Sequence, residues 1–216
     1  MRLPMKPRRT ALYLPASNEK ALAKARSLDA DVVILDLEDA VAPDAKVAAR
    51  AAAVAAAREG GFGNRELVIR VNGLDTEWGR DDLAAAASSG AHAVLVPKIG
   101  NPDDIACCDQ LLRDAPPALA LWAMMETCAA VMALGPIAAA ARDSRLAAFV
   151  LGTNDLAKEM RARATPERTA FLPILTLVVA AARSEGLVVL DGVCNDFRDL
   201  DAFAAECRQG LMLGFD

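Results

Sequence analysis

The chain is short of aromatic residues, of histidine and of long apolar runs, and each shortage removes possibilities. Aromatics make up 4% of 216 residues although 54% are hydrophobic. Alanine supplies much of that apolar count, which suits a helix-rich chain whose small side chains let helices lie close to a sheet. With one histidine, His92, and five cysteines lacking metal-type spacing, no zinc cluster is on offer. Cys107 and Cys108 are adjacent, an awkward pair for a disulfide, so the cysteines read as reduced thiols of a cytoplasmic protein. No apolar run is long enough for a membrane span, and Met1 to Thr10 lacks the apolar core of a signal peptide. The net charge is −5 and no basic run is available to neutralise phosphates, which excludes nucleic acid as an expected partner. Arg2, Lys6, Arg8 and Arg9 read as a solvated tail.

What is present is a beat of short apolar runs: "ALYLP" (11–15), "VVILDL" (32–37), "LVIRVN" (67–72), "AVLVPK" (93–98), "LALWAMM" (119–125), "AAFVLG" (147–152), "LVVLD" (187–191) and "LMLGF" (211–215). Each is too short for a helix and rich in Val, Leu and Ile, as in parallel strands buried on both faces. Helical stretches separate them. Asn18 caps one, Pro43 opens and Gly60 closes another, and Pro136 and Pro173 predict a kink or a late start in two more. Eight βα beats predict a single (β/α)8 barrel over residues 1–216. A doubly wound sheet is the alternative, but no Gly-rich phosphate turn follows the first run. On this reading strand eight ends at Asp216 and the closing C-terminal helix is absent, leaving later residues or a neighbouring subunit to cover the gap.

A barrel collects its reactive groups at the C-terminal ends of its strands. Those ends carry Asp36, Glu38 and Asp39; Arg70 and Asn72; Lys98; Glu126; Asn154 and Asp155; then Asp191, Asn195 and Asp196. Singly, each has an ordinary use as a cap, a turn former or a solvated loop residue. Jointly they are harder to dismiss. Glu126 and Asp155 are expected on neighbouring strands, where two carboxylates repel unless one is protonated or a cation lies between them. A hard divalent ion such as Mg2+ suits two carboxylates, water and a substrate. Arg70, set among aliphatic residues, needs an anion: either protein carboxylates, or a substrate carboxylate or developing enolate. His92 is expected at the far end of its strand.

In order, "LDLEDAVAPDAKVAAR", "IRVNGLDTEWGRDDL", "VLVPKI", "MMET", "LGTNDLA", "LDGVCNDFRDLDAF" and "GFD" resemble the citrate lyase beta-chain family, with its malyl-CoA and citramalyl-CoA lyase relatives. The resemblance implies a Mg2+-dependent (β/α)8 barrel that forms a homo-oligomer, a trimer or hexamer. Its partners would be an acyl-CoA or acyl-carrier thioester and a 2-oxo acid. It implies Glu126 and Asp155 as metal ligands, with Glu126 also facing substrate, and Arg70 as the substrate-binding arginine. Glu38 and Asp39 become the outer carboxylates around metal-bound water, and Asp36, Glu38 and Asp39 the candidate bases. The expected reaction is carbon–carbon cleavage of a 3-hydroxy-3-carboxyacyl thioester. Hydrolysis of a malyl-type thioester and a non-catalytic, lyase-like subunit are the alternatives.

Overall fold

The computed structural model describes residues 7–196 and 198–216; Arg2 and Lys6 of the expected tail lie outside them. The chain divides into two compact units, the residues up to Val96 with Gln110–Ala120, and Pro97–Asp109 with Leu121–Asp216.

In the first unit, β1 (Ala11–Pro15), β2 (Val32–Asp36), β3 (Glu66–Arg70) and β4 (Ala93–Val96) pair in parallel and in sequence order. Every residue of β2, β3 and β4 is buried, as expected of parallel strands covered on both faces. Helices α1 (Glu19–Ala25), α2 (Lys46–Glu59) and α3 (Gly79–Ala87) link them. Asn18 caps α1 by accepting from the Ala21 N–H. A short 3-10 turn at Pro43–Ala45 leads into α2, whose Ala49, Ala53, Ala56 and Ala57 form a buried stripe of helical period. Gly60, at φ 71°, ends that helix in a conformation that penalises a Cβ.

The second unit holds most of α4 (Pro102–Leu111) and of β5 (Ala120–Met125), followed by β6 (Leu146–Leu151) and β7 (Val188–Leu190), again parallel and in order. Trp122 and Phe149 are its largest fully buried side chains. The expected kink is real: α5 (Cys128–Met132) and α6 (Leu134–Ala139) are separate helices, with Pro136 in the first turn of α6. After α7 (Thr153–Met160), α8 (Leu172–Glu185) starts late, with Pro173 in its first turn.

Two expectations are corrected. "LMLGF" is not an eighth strand: it closes α9 (Leu200–Leu213), which starts at the Asp199 cap and ends at Gly214, φ 96°. The run "LDAFAAECRQ" before it contains no breaker, and the helix continues through Gly210 into the apolar residues. The described residues therefore hold seven strands of the predicted eight. Nor is Arg8 part of a solvated tail, whereas Arg9 is exposed as expected. Arg8 binds buried Glu66 in a fork at 2.5 and 2.9 Å, and Arg9 holds Asp31 at 2.9 Å. Among the described residues, no helix is long and apolar enough to cross a membrane.

Candidate active site

Register builds the acidic cluster of the first unit. Asp36 ends β2 directly opposite Arg70, which ends β3, so their side chains leave neighbouring strand ends together. The Arg70 guanidinium forks onto both Asp36 oxygens, from Nε at 2.7 Å and from Nη2 at 2.6 Å. Its Nη1 faces Glu38 Oε2 at 2.8 Å and Asp39 Oδ2 at 3.4 Å. The guanidinium lies 5.2 Å from the centre of the Tyr13 ring, a cation–π distance. Burial works against this charge, but the hydrogen bonds and charges of Asp36 and Glu38 prevail and leave its pKa raised. Asp36 also accepts from the backbone N–H groups of Glu38 and Ala40, so its four acceptor positions are filled. Of the three acids, Asp39 alone is largely exposed, at 71%. Lys46, which donates to the carbonyls of Leu37 and Glu38, and Asn72, which donates to Leu37 and Asp82, tie down the loop that carries them.

The second unit brings Glu126 and Asp155 to one point. β5 and β6 are paired, Glu126 follows the end of β5, and Asp155 lies in the first turn of α7, immediately beyond β6. At that point sits an ammonium. Lys98 Nζ is 3.3 Å from Glu126 Oε1 and closely hydrogen-bonded to Asp155 Oδ2. The backbone N–H of Lys98 donates to Glu126 Oε1 as well, at 2.9 Å. Lys98 adopts φ 57°, left-handed backbone that costs a non-glycine residue on the order of 1 kcal/mol. Glu126 is buried, and burial pushes its pKa up against the pull of Lys98. For Asp155 burial acts in the same sense, but the hydrogen bond and charge of Lys98 outweigh it and the pKa is lowered. Gly152 makes the packing possible: a Cβ there would lie 2.6 Å from Glu126 Oε2.

Two hard oxygen donors aimed at a position already taken by a positive charge fit a divalent ion such as Mg2+. Among the described residues no three His, Cys, Asp or Glu side chains gather as a metal cluster; Glu126 and Asp155 are the pair that could hold such an ion.

The other strand-end residues have structural partners. Asp191 is gripped at 2.7 and 2.8 Å by Arg168, a buried residue at φ 52° that also reaches Gln209 and Glu206 of α9. Asn154 and Asn195 exchange two amide hydrogen bonds. Asp216 accepts from the Val189 N–H and from Arg183. His92 Nδ1 accepts from the Leu67 N–H ahead of β4, in keeping with its expected place far from the strand ends. Burial and the Glu159 carboxylate raise the Cys128 thiol, burial and Glu206 raise Cys194, and burial pushes Cys108 up to about 12, so none is a ready thiolate. Sequence reasoning placed Lys98 at a strand end without a role and overlooked Arg168. For Lys98 a signal existed: a cation one βα unit before Glu126, at the end of an adjoining run.

The sequence profile of the family described as HpcH/HpaI aldolase/citrate lyase matches residues 9–216. A (3S)-malyl-CoA thioesterase of Cereibacter sphaeroides is 47% identical over 210 residues, covering 97% of this chain and 71% of that protein. An L-malyl-CoA/beta-methylmalyl-CoA lyase of the same species is 33% identical, over 98% of this chain and 74% of the lyase. Among solved structures, the citrate lyase beta subunit of M. tuberculosis, complexed with oxaloacetate and magnesium, superposes with a TM-score of 0.79. It is 28% identical and covers 95% of this chain and 87% of that one.

Proposed function

Because this chain belongs to the HpcH/HpaI aldolase/citrate lyase family, we propose that it hydrolyses a malyl-CoA-type thioester, with Glu126 and Asp155 holding a magnesium ion. The observation that carries this reading is the convergence of those two carboxylates on one cation position. The 47% identity to a malyl-CoA thioesterase, against 33% to a lyase, favours hydrolysis. A β/α-barrel scaffold is the finer fold reading, supported by the parallel, sequence-ordered strand pairing within each unit.

When bound, the ion would supply Lewis acidity and a template for the substrate's oxygens. The chain's own groups do the rest. Glu126, fixed by the Lys98 N–H, and Asp155, set on the first turn of α7, present two oxygens in a fixed geometry. Arg70 is the group we assign to a substrate anion, with exposed Asp39 the partner that gives way. Asp36, its acceptor positions filled, orients Arg70 rather than taking a proton; Glu38 also faces that guanidinium. Asp39 is left as the acid whose oxygens are open to take a proton from water or from a substrate hydroxyl. In hydrolysis water adds at the thioester carbonyl, the C–S bond breaks, and the free acid and the CoA thiol leave.

Carbon–carbon cleavage to an acyl-CoA and a 2-oxo acid is the second reading, favoured by the lyase relative. Incubating the protein and Mg2+ with malyl-, citramalyl- and citryl-CoA, while following free thiol and 2-oxo acid, separates the two. Thiol without glyoxylate, pyruvate or oxaloacetate is the expected result. Oxo acid with the thioester intact would establish the lyase instead. No turnover of any ester would overturn both and favour a non-catalytic binding role.

A further inference from the structure

Lys98 occupies the position that the preceding reading gives to a metal, and its backbone shows that this is built in. The left-handed φ of 57° at Lys98 follows Pro97 and turns both the backbone N–H and the ammonium of one residue toward Glu126. The two contacts have different fates when a cation arrives. The N–H bond to Glu126 Oε1 belongs to the main chain and stays. The ammonium sits on a flexible stem whose side chain is 39% exposed, so it has a route into solvent. Charge gives the reason for the arrangement. Without a cation, Glu126 and Asp155 would face each other with two negative charges, one of them deeply buried. One ammonium compensates half of that charge; a divalent ion compensates all of it and releases the ammonium.

We propose that Lys98 is a tethered counter-cation that holds the Glu126–Asp155 pair assembled in the metal-free protein and is displaced by the incoming divalent ion. This rests on the metal reading of that pair and adds to it. The metal affinity is set partly by competition with a residue of the same site, and the freed ammonium becomes available beside the ion only once the ion is in place. Lys98 is thus a positioning residue.

The test is calorimetric titration of the full chain with MgCl2, comparing wild type, Lys98→Met, Lys98→Arg and Glu126→Gln. Without the competitor, Lys98→Met binds Mg2+ tighter by on the order of fivefold, the scale of a partly exposed ion pair. Its metal-free melting temperature falls by about 2–4 °C, and added Mg2+ raises it by more than in wild type. Lys98→Arg, which keeps the charge, binds no tighter than wild type. A Lys98→Met affinity equal to or weaker than a measurable wild-type affinity overturns the proposal and leaves the metal reading standing. No binding by wild type overturns both, as does Glu126→Gln binding as well as wild type. A second measurement needs no variant: acylation of Lys98 by an amine-reactive ester, mapped by mass spectrometry, increases when Mg2+ is added. Unchanged or reduced labelling in Mg2+ that calorimetry shows to be bound overturns the displacement.

Discussion

Lys98 gives Glu126 Oε1 both its backbone N–H, at 2.9 Å, and the approach of its ammonium, at 3.3 Å, so one residue orients this carboxylate and neutralises it. The first contact belongs to the main chain and does not depend on the lysine side chain. Glu126 itself can therefore be varied with its neighbours in place.

Glu126→Gln keeps an oxygen for the Lys98 N–H but loses the charge. Mg2+ affinity is expected to fall by more than the roughly 10–100-fold typical of residues that merely support a ligand, and thiol release to fall to background. Asp155→Asn should act in the same direction. Calorimetry and a thiol assay check both; undiminished turnover in Glu126→Gln would end its assignment as a ligand.

Gly152→Ala tests the packing behind that carboxylate. The added methyl would overlap Glu126 Cβ and sit 2.6 Å from Glu126 Oε2, so the whole side chain must move although no ligand has been removed. Mg2+ affinity should drop about tenfold while circular dichroism stays that of the wild type. Unchanged affinity would mean that the Glu126 position is looser than the contact implies.

The acids around Arg70 should separate by burial. Asp36→Ala strips a buried guanidinium of its forked partner and is expected to cost about 3–5 kcal/mol in urea denaturation. Asp39→Ala, at an exposed carboxylate 3.4 Å away, should cost less than about 1 kcal/mol yet lower turnover if Asp39 takes the proton. Equal stability losses in the two variants would contradict the division of roles.

Arg168 predicts a local effect. Gly210 is the one buried residue of α9, so the helix is held largely by the bonds of Arg168 to Asp191, Glu206 and Gln209. Arg168→Met should speed amide exchange across Leu200–Leu213 more than across α8. Hydrogen–deuterium exchange followed by mass spectrometry reads this directly, and equal protection in both helices would refute it.

Some of this was legible in residue order alone. Seven strands could be read because a parallel strand covered on both faces must be continuously apolar, and "VVILD" and "AVLV" leave no room for another period. The helix starts at Asn18 and Pro173 were equally readable, since a cap and a missing N–H act within one turn. The pairing of Glu126 with Asp155 followed from the βα beat, which sets acids one unit apart on adjoining strand ends.

What residue order did not settle depended on partners distant along the chain. "LMLGF" is apolar enough for a strand, and only its continuity with the helix before it and the packing of Gly210 against Asp191 made it the end of α9. That Arg70 is held by Asp36 rather than left open came from strand register, which pairs residues 34 apart. That a lysine stands between the two carboxylates came from a left-handed turn at residue 98, a backbone choice set by the neighbours it serves. Local periodicity and capping act over a few residues and are written in the sequence; charge pairing acts through space, and only the tertiary fold decides which charges meet.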